Sequence, residues 1–272
     1  MQKLFKIYWP FALNEIKRNF AYKGRFYLFI LSRVFSVFIN YYLWMAIYQS
    51  AQGASLGGFT KNEMITYVFM TFVASGIISI SMAQDIGYDV VEGSIAVNLI
   101  KPIDYRGSLL ARAFGIMIYR FVVPSLFIWI GLEGYRVFGL GLSVTSLDKI
   151  ILFIFSSMLS FLIYVLFDFC FGMMAFFTTY IFGMTIIKNA VLTFLTGQLI
   201  PLSFFPEVIQ RIFDFLPFSS MIYVPVMIYL GKYSGYEILG VMLKQVLWVV
   251  LLYGVGSIIW KRVTKRLVVL GG

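Results

Sequence analysis

Of 272 residues, 61% are hydrophobic, 19% aromatic and only 12% charged, which excludes an ordinary soluble domain and points to an integral membrane protein. The 22 Lys and Arg outnumber the 12 Asp and Glu by a net +10, but the cations flank apolar runs instead of gathering on one polar face, so they read as orientation signals and not as a nucleic-acid surface. With no His, and with Cys170 alone inside an apolar run, the chain offers no zinc or haem ligand set and no intramolecular disulfide.

Residues 3–24 space Phe5, Trp9, Ala12, Ile16 and Phe20 three to four apart and set Lys3, Lys6, Lys17 and Arg18 on the opposite side of a helical wheel. That spacing predicts a helix lying in the membrane interface over residues 1–25, bent or divided at Pro10, with its basic side on anionic headgroups. The segment is too charged for a removable signal peptide and is expected to stay on the mature protein. Spans follow at residues 26–48, interrupted by Arg33, and at residues 64–83, separated by the Gly-rich loop 49–58 that contains Gly53. Each reaches the roughly 20 residues needed to cross about 30 Å of hydrocarbon.

The stretch QDIGYDVVEGSIAVNLIKPIDYRG, residues 84–107, is the one long polar interruption in the first half of the chain. It carries Asp85, Asp89, Glu92, Lys101, Asp104 and Arg106, and its length fits an amphipathic helix plus a turn. Its apolar residues Val90, Val91, Ile95, Val97, Leu99 and Ile100 are too many for a free loop and suit a surface that packs against a partner. A third span is expected at residues 109–132 with Arg112 and Arg120 in it, then a polar stretch at 133–149 and a fourth span at 150–172. The turn to a fifth span is placed at residues 178–185. Prolines 201, 206, 217 and 225 argue against one more straight crossing and for a re-entrant or interfacial segment over residues 201–231. The last span is expected at 238–260, followed by KRVTKR.

The distribution of Lys and Arg favours six spans, with both termini and residues 84–107 in the cytoplasm and residues 201–231 outside, in the plasma membrane. Counted from the cytoplasmic ends, Arg33, Arg112 and Asp168 lie in the inner third of the bilayer, so Asp168 is expected to pair with Arg112 or Arg33 and hold helices together. Arg120 lies nearer mid-membrane with no acid at matching depth. It is the candidate for lining a path that takes an anionic or amphiphilic substrate, the alternatives being snorkelling or a backbone carbonyl partner.

This order of parts resembles the permease subunit of an ABC exporter of the second type, a single all-α permease domain over residues 1–272. The run EGSIAVNLIKPIDY is similar to the G-I-x-x-x-L-x-K-P-I pattern after the second span of that family, and IPLSFFPEVIQRIFDFLPF to its P-x-x-x-x-P...LP-F pattern before the last. The resemblance implies a dimer of permeases, homo- or heteromeric, each docking a cytoplasmic ATPase through a coupling helix. Gly93, Ile95, Leu99, Lys101 and Pro102, with Val91 beside them, then form the coupling region, and Pro201, Phe205, Pro206, Pro217 and Phe218 an extracellular gate. The chain has no G-x-x-x-x-G-K-[ST] loop, so it is expected to be no enzyme and to bind no cofactor, with ATP and Mg held by the partner ATPase. A drug, peptide, lipid or glycolipid would suit such a path. A secondary transporter or channel is the alternative, but it calls for broken helices in both halves, and only the second half shows one. A membrane-embedded enzyme would need a nucleophile and base that a chain without His does not supply in the usual form.

Overall fold

The computed structural model describes residues 2–21, 23–51, 55–178 and 181–270, and these form helices joined by short turns, with a Leu56–Phe59 bridge as the only β pairing among them. Gly53 of the Gly-rich loop, Thr179 and Tyr180 of the expected turn, and the side chains of Lys3, Lys23, Arg25 and Arg266 lie outside the described residues.

The central post is α3 (Lys61–Ile78). Thr60 and Glu63 close its first turn as a capping box, and all but one of the residues from Met64 to Ile78 are buried. Around it stand α2 (Lys23–Ser50), α6 (Tyr105–Arg120) continued by α7 (Leu126–Gly134), and α8 (Leu147–Gly172), while α12 (Tyr236–Leu270) packs on α8. Among the described residues five helical runs are long and apolar enough to cross a membrane, and they differ sharply in burial. The most apolar window of Lys61–Val91 is 83% buried, whereas those of Tyr27–Ser50 and Tyr236–Lys265 are each 11% buried, so α2 and α12 turn apolar side chains outward, as lipid-facing helices do.

Polar residues lock this bundle internally. On α12, Gln245 is fully buried and donates through Nε2 to the carbonyl oxygens of Ser156 at 3.2 Å and Ser220 at 2.9 Å, while its Oε1 accepts from the Ser156 hydroxyl at 3.0 Å. Beside the N-terminus of α8, Glu133 accepts from Arg136, Thr145 and Tyr229, and Tyr229 in turn accepts from the Trp129 indole at 3.0 Å. In an apolar bundle such groups have no water to fall back on, so each fixes the contact between two helices.

Four expectations change. Pro10 does not divide α1 (Gln2–Ala21), which runs through it as one helix. The helix is held from outside, because Gly107 and Gly115 of α6 leave room for Tyr8 and for the backbone of Ala12, whose Cα would stand 2.8 Å from a Cβ at Gly115. Packing here outweighs the lost hydrogen bond. Residues 133–139, expected in a polar connection, instead continue the third crossing helix through π-helical turns at Phe121–Ser125 and Tyr135–Gly139, because Glu133 finds partners inside the protein. The second crossing, expected unbroken to residue 83, breaks at residues 79–81 and resumes as α4 (Met82–Val91), so residues 84–107 begin inside a partly buried helix.

The fifth span is shorter than expected. Its helix, α9 (Phe182–Leu195), has 14 residues, a rise of about 21 Å against about 30 Å of hydrocarbon. It stops where Gly197 takes a φ of +75° and its carbonyl accepts from the Tyr67 hydroxyl at 2.5 Å, and where Thr196 accepts from the backbone of Tyr223 at 3.1 Å. Beyond it the exposed α10 (Glu207–Phe215) and the buried α11 (Tyr223–Leu230) replace a straight helix, as the prolines predict.

Candidate functional site

Three features of one end of the bundle meet along α4. The first is an elbow. Between α4 and α5 (Ser94–Ile100) the chain turns at Gly93, which has a φ of +73°, a conformation that disfavours any other residue. Asp89 pins the elbow by accepting from the Ser94 hydroxyl at 2.7 Å and from the Tyr105 hydroxyl at 2.7 Å. Tyr105 opens α6 and stacks on Trp260 of α12 with ring centroids 5.5 Å apart, so α5 is tied to three other helices through one carboxylate and one ring.

Burial divides the coupling residues of the sequence. Ile95 is 2% exposed and belongs to the core, so its place is as an internal anchor and not on an outer surface. Val91 and Val97 are 60% and 56% exposed and Ile100 is 83% exposed, with Leu99 partly so. Lys101 and Pro102 follow on the exposed rim, Lys101 donating to the Asn98 side chain at 2.8 Å. An apolar edge on a pinned helix is an unusual thing to leave uncovered.

The second feature is Asp168. The structure pairs it with Lys188 of α9, not with Arg112 or Arg33. Arg112 lies instead over the ring of Phe11 at 5.9 Å and Arg33 over Phe29 at 5.6 Å. The second oxygen of Asp168 accepts the backbone N–H of Ala83 at 2.9 Å, at the start of α4, where Ser81 makes no side-chain cap of its own. A carboxylate from α8 thus caps α4, where the positive end of the helix dipole favours it. Lys188 completes the pair with its Nζ 5.2 Å from the centre of the Phe171 ring and 5.8 Å from that of Tyr164. Sequence reasoning missed this partner, although Lys188 is the only charge between residues 171 and 206 and was visible as such.

The third feature is a cleft. About 640 Å³ open between α1, α2, α4 and α6, lined among others by Arg18, Phe29, Ser81, Gln84 and Arg120. A second cavity of about 260 Å³ shares Ser81 and Arg120 with it and continues past Tyr164 and Asn189 to Gln198 and Ile222. Arg120 therefore stands where the two meet, and the break at residues 79–81 walls the second. Its guanidinium lies over Phe29 at 5.5 Å, and among the described residues no carboxylate reaches it.

At the other end, Pro201 is buried, Phe205 packs on Phe213 at 5.4 Å and Pro206 starts α10 in the open, whereas the buried Pro217 leads into Phe218, which packs at 5.4 Å on Phe167, the residue before Asp168. These gate residues do not converge on one point. The loop before α3 is tied to this end, because Lys232 pairs with Glu63 at 2.6 Å and the Ser203 hydroxyl donates to the Gly57 carbonyl at 2.7 Å. Among the described residues no group of three or more Cys, Asp or Glu side chains is placed to hold a metal ion.

Comparison with known proteins adds one finding. A family model described as ABC-2 family transporter protein matches residues 34–271, which include every crossing helix except the first turns of α2, both cavities' main walls and the elbow. A search of the curated proteins gives no match to this chain.

Proposed function

The chain belongs to the ABC-2 transporter family, whose members of this kind are multi-pass membrane components without an ATPase site of their own, and from that premise we propose that it is the permease of an ATP-driven exporter, docked to a separate ATPase through α5. The uncovered apolar edge carries this reading: Val97 and Ile100 stand out from α5 and Val91 from the end of α4, on either side of an elbow that Asp89 and Ile95 hold in place. A rigid element is needed if motion in a soluble subunit is to move helices. From α5 the connection runs through α4 to Asp168, and from there through Lys188 to α9 and the Pro-rich segment.

On this reading α1 lies in the cytoplasmic interface, both termini face the cytoplasm, and the protein sits in the plasma membrane with α9 and its flanking turns as the sixth crossing. A second permease, itself or a paralogue, completes the path, and ATP with Mg stays on the ATPase. The path is the pair of cavities joined at Arg120, and an amphiphilic substrate suits it, because polar side chains such as Arg18, Gln84 and Asn189 line it beside Phe29, Ile116 and Leu192.

The test is purification of the tagged protein in mild detergent, with co-purifying proteins identified by mass spectrometry and ATPase activity assayed. An ATPase recovered with the wild type and lost with Val97→Glu and Ile100→Glu is the expected result. Ile95 is unsuitable for this test, since a charge there would disturb the core. Repeated recovery of the chain with no ATPase would shift the reading to a secondary transporter or channel.

A further inference from the structure

Arg33 and Arg120 approach one ring from two helices. Arg33 lies one turn beyond Phe29 on α2, and both guanidiniums stand within 5.6 Å of the centre of that ring. Helical side chains lean toward the N-terminus of their helix, and α2 and α6 both start at the end of the bundle that carries α1, so both arginines reach back to one level. Two like charges are brought together there. Among the described residues neither forms an ion pair, whereas Arg18 pairs with Glu15 at 2.7 Å and Lys188 with Asp168.

Bringing two unpaired cations together in apolar surroundings is costly unless an anion joins them. Guanidinium groups suit phosphate in particular, because their N–H groups are set as a fork that can meet two oxygens at once. The cleft that Arg120 and Phe29 line has room for a headgroup, with Asn19, Ser81 and Gln84 as further hydrogen-bonding side chains, Arg18 as a further cation and Asp85 as the acid on its wall. Next to it α2 turns Leu28, Leu31, Val34 and Phe35 outward, an apolar surface along which an acyl chain can lie.

We propose that Arg33 and Arg120 together bind the phosphate of an anionic membrane amphiphile over the Phe29 ring, with its chains on the outer face of α2. This rests on the reading of the cleft as part of the translocation path. It concerns binding alone and needs no ATPase, so the two ideas can fail separately: loss of the ATPase partner leaves headgroup selectivity standing, and loss of selectivity leaves the coupling edge untouched.

The test uses the purified full chain in neutral detergent, titrated with dioctanoyl phosphatidic acid, dioctanoyl phosphatidylcholine and inorganic phosphate, with affinity read by thermophoresis. The wild type is expected to prefer phosphatidic acid to phosphatidylcholine by at least about tenfold, and Arg33→Gln and Arg120→Gln each to weaken phosphatidic acid by about tenfold, the worth of one charge-assisted hydrogen bond. Arg112→Gln, whose cation lies over Phe11, should leave the affinity unchanged. Equal affinity for the two lipids overturns the proposal, as does unchanged phosphatidic acid binding in both Gln variants. Inorganic phosphate binding as tightly as phosphatidic acid overturns the amphiphile. Should a Gln variant not fold, Arg120→Lys keeps the charge but not the fork, and the wild-type lipid comparison by itself still decides.

Discussion

Asp168 and Lys188 stand inside the bundle with their charges answered, Asp168 by the Lys188 ammonium and the Ala83 N–H, Lys188 by the carboxylate and two rings. Among the described residues Arg33 and Arg120, in the same bundle, make no ion pair and lie over Phe29. The first pair is complete and joins three helices, while the second set is incomplete and its Arg120 opens on a cavity. The difference separates charges that build the protein from charges that await something else. Depth and apolar surroundings alone do not tell them apart.

The largest expected effect falls on the complete pair. Asp168→Ala leaves Lys188 buried without a counter-charge and the start of α4 uncapped, so it should destabilise the protein by about 3–5 kcal/mol, read as a lowered unfolding midpoint in detergent. The double change Asp168→Leu with Lys188→Met removes both charges and should recover most of that loss. If the double variant is as unstable as the single, the pair contributes more than mutual neutralisation, and the cap on α4 becomes the dominant element.

A smaller effect is expected at Gln245, which is polar like the pair but uncharged. Replacing it with Leu preserves much of the volume and removes its bonds to Ser156, Ser160 and Ser220. The Ser220 carbonyl keeps the Ser160 hydroxyl as a donor at 2.8 Å, so the penalty for the several lost bonds together should stay near 1–2 kcal/mol, single interhelical bonds in membranes contributing about 0.6 on average and about 1.7 at most. A loss as large as that of Asp168→Ala would mean that neutral polar contacts, and not the ion pair, dominate the join between helices.

How much of this was legible in the sequence follows from what pattern can carry. The crossing helices showed as long apolar runs, and residues 84–107 stood out by their charge. That Arg120 has no acid beside it could be read from composition and depth. Direction around a helix could not be read. Counting residues put Asp168 level with Arg112, but the reversal through the 3-10 turn Met173–Phe176 brings Lys188 of α9 alongside instead. The seven residues of α5 are too few to show a period, so Ile95 looked like its neighbours although it points inward. Likewise, the meeting of Arg33 with Arg120 depends on two side chains leaning back to one ring, which spacing along either helix does not reveal.

The smallest change in stability is expected where the comparison is sharpest. Removing a charge from an incomplete set takes away no existing ion pair, relieves repulsion between two guanidiniums and ends the desolvation of one of them. The contact with Phe29 is lost in exchange, worth about 0.5–2 kcal/mol. These terms oppose each other, so Arg120→Gln should leave the unfolding midpoint of the ligand-free protein within about 1 kcal/mol of wild type or raise it slightly, while export in a reconstituted system with its ATPase falls. A group kept at no benefit to stability is the pattern expected of a binding residue, because function and stability then pull in opposite directions. A clear destabilisation by Arg120→Gln, comparable to that of Asp168→Ala, would place Arg120 with the charges that build the protein and erase the distinction between the two sets.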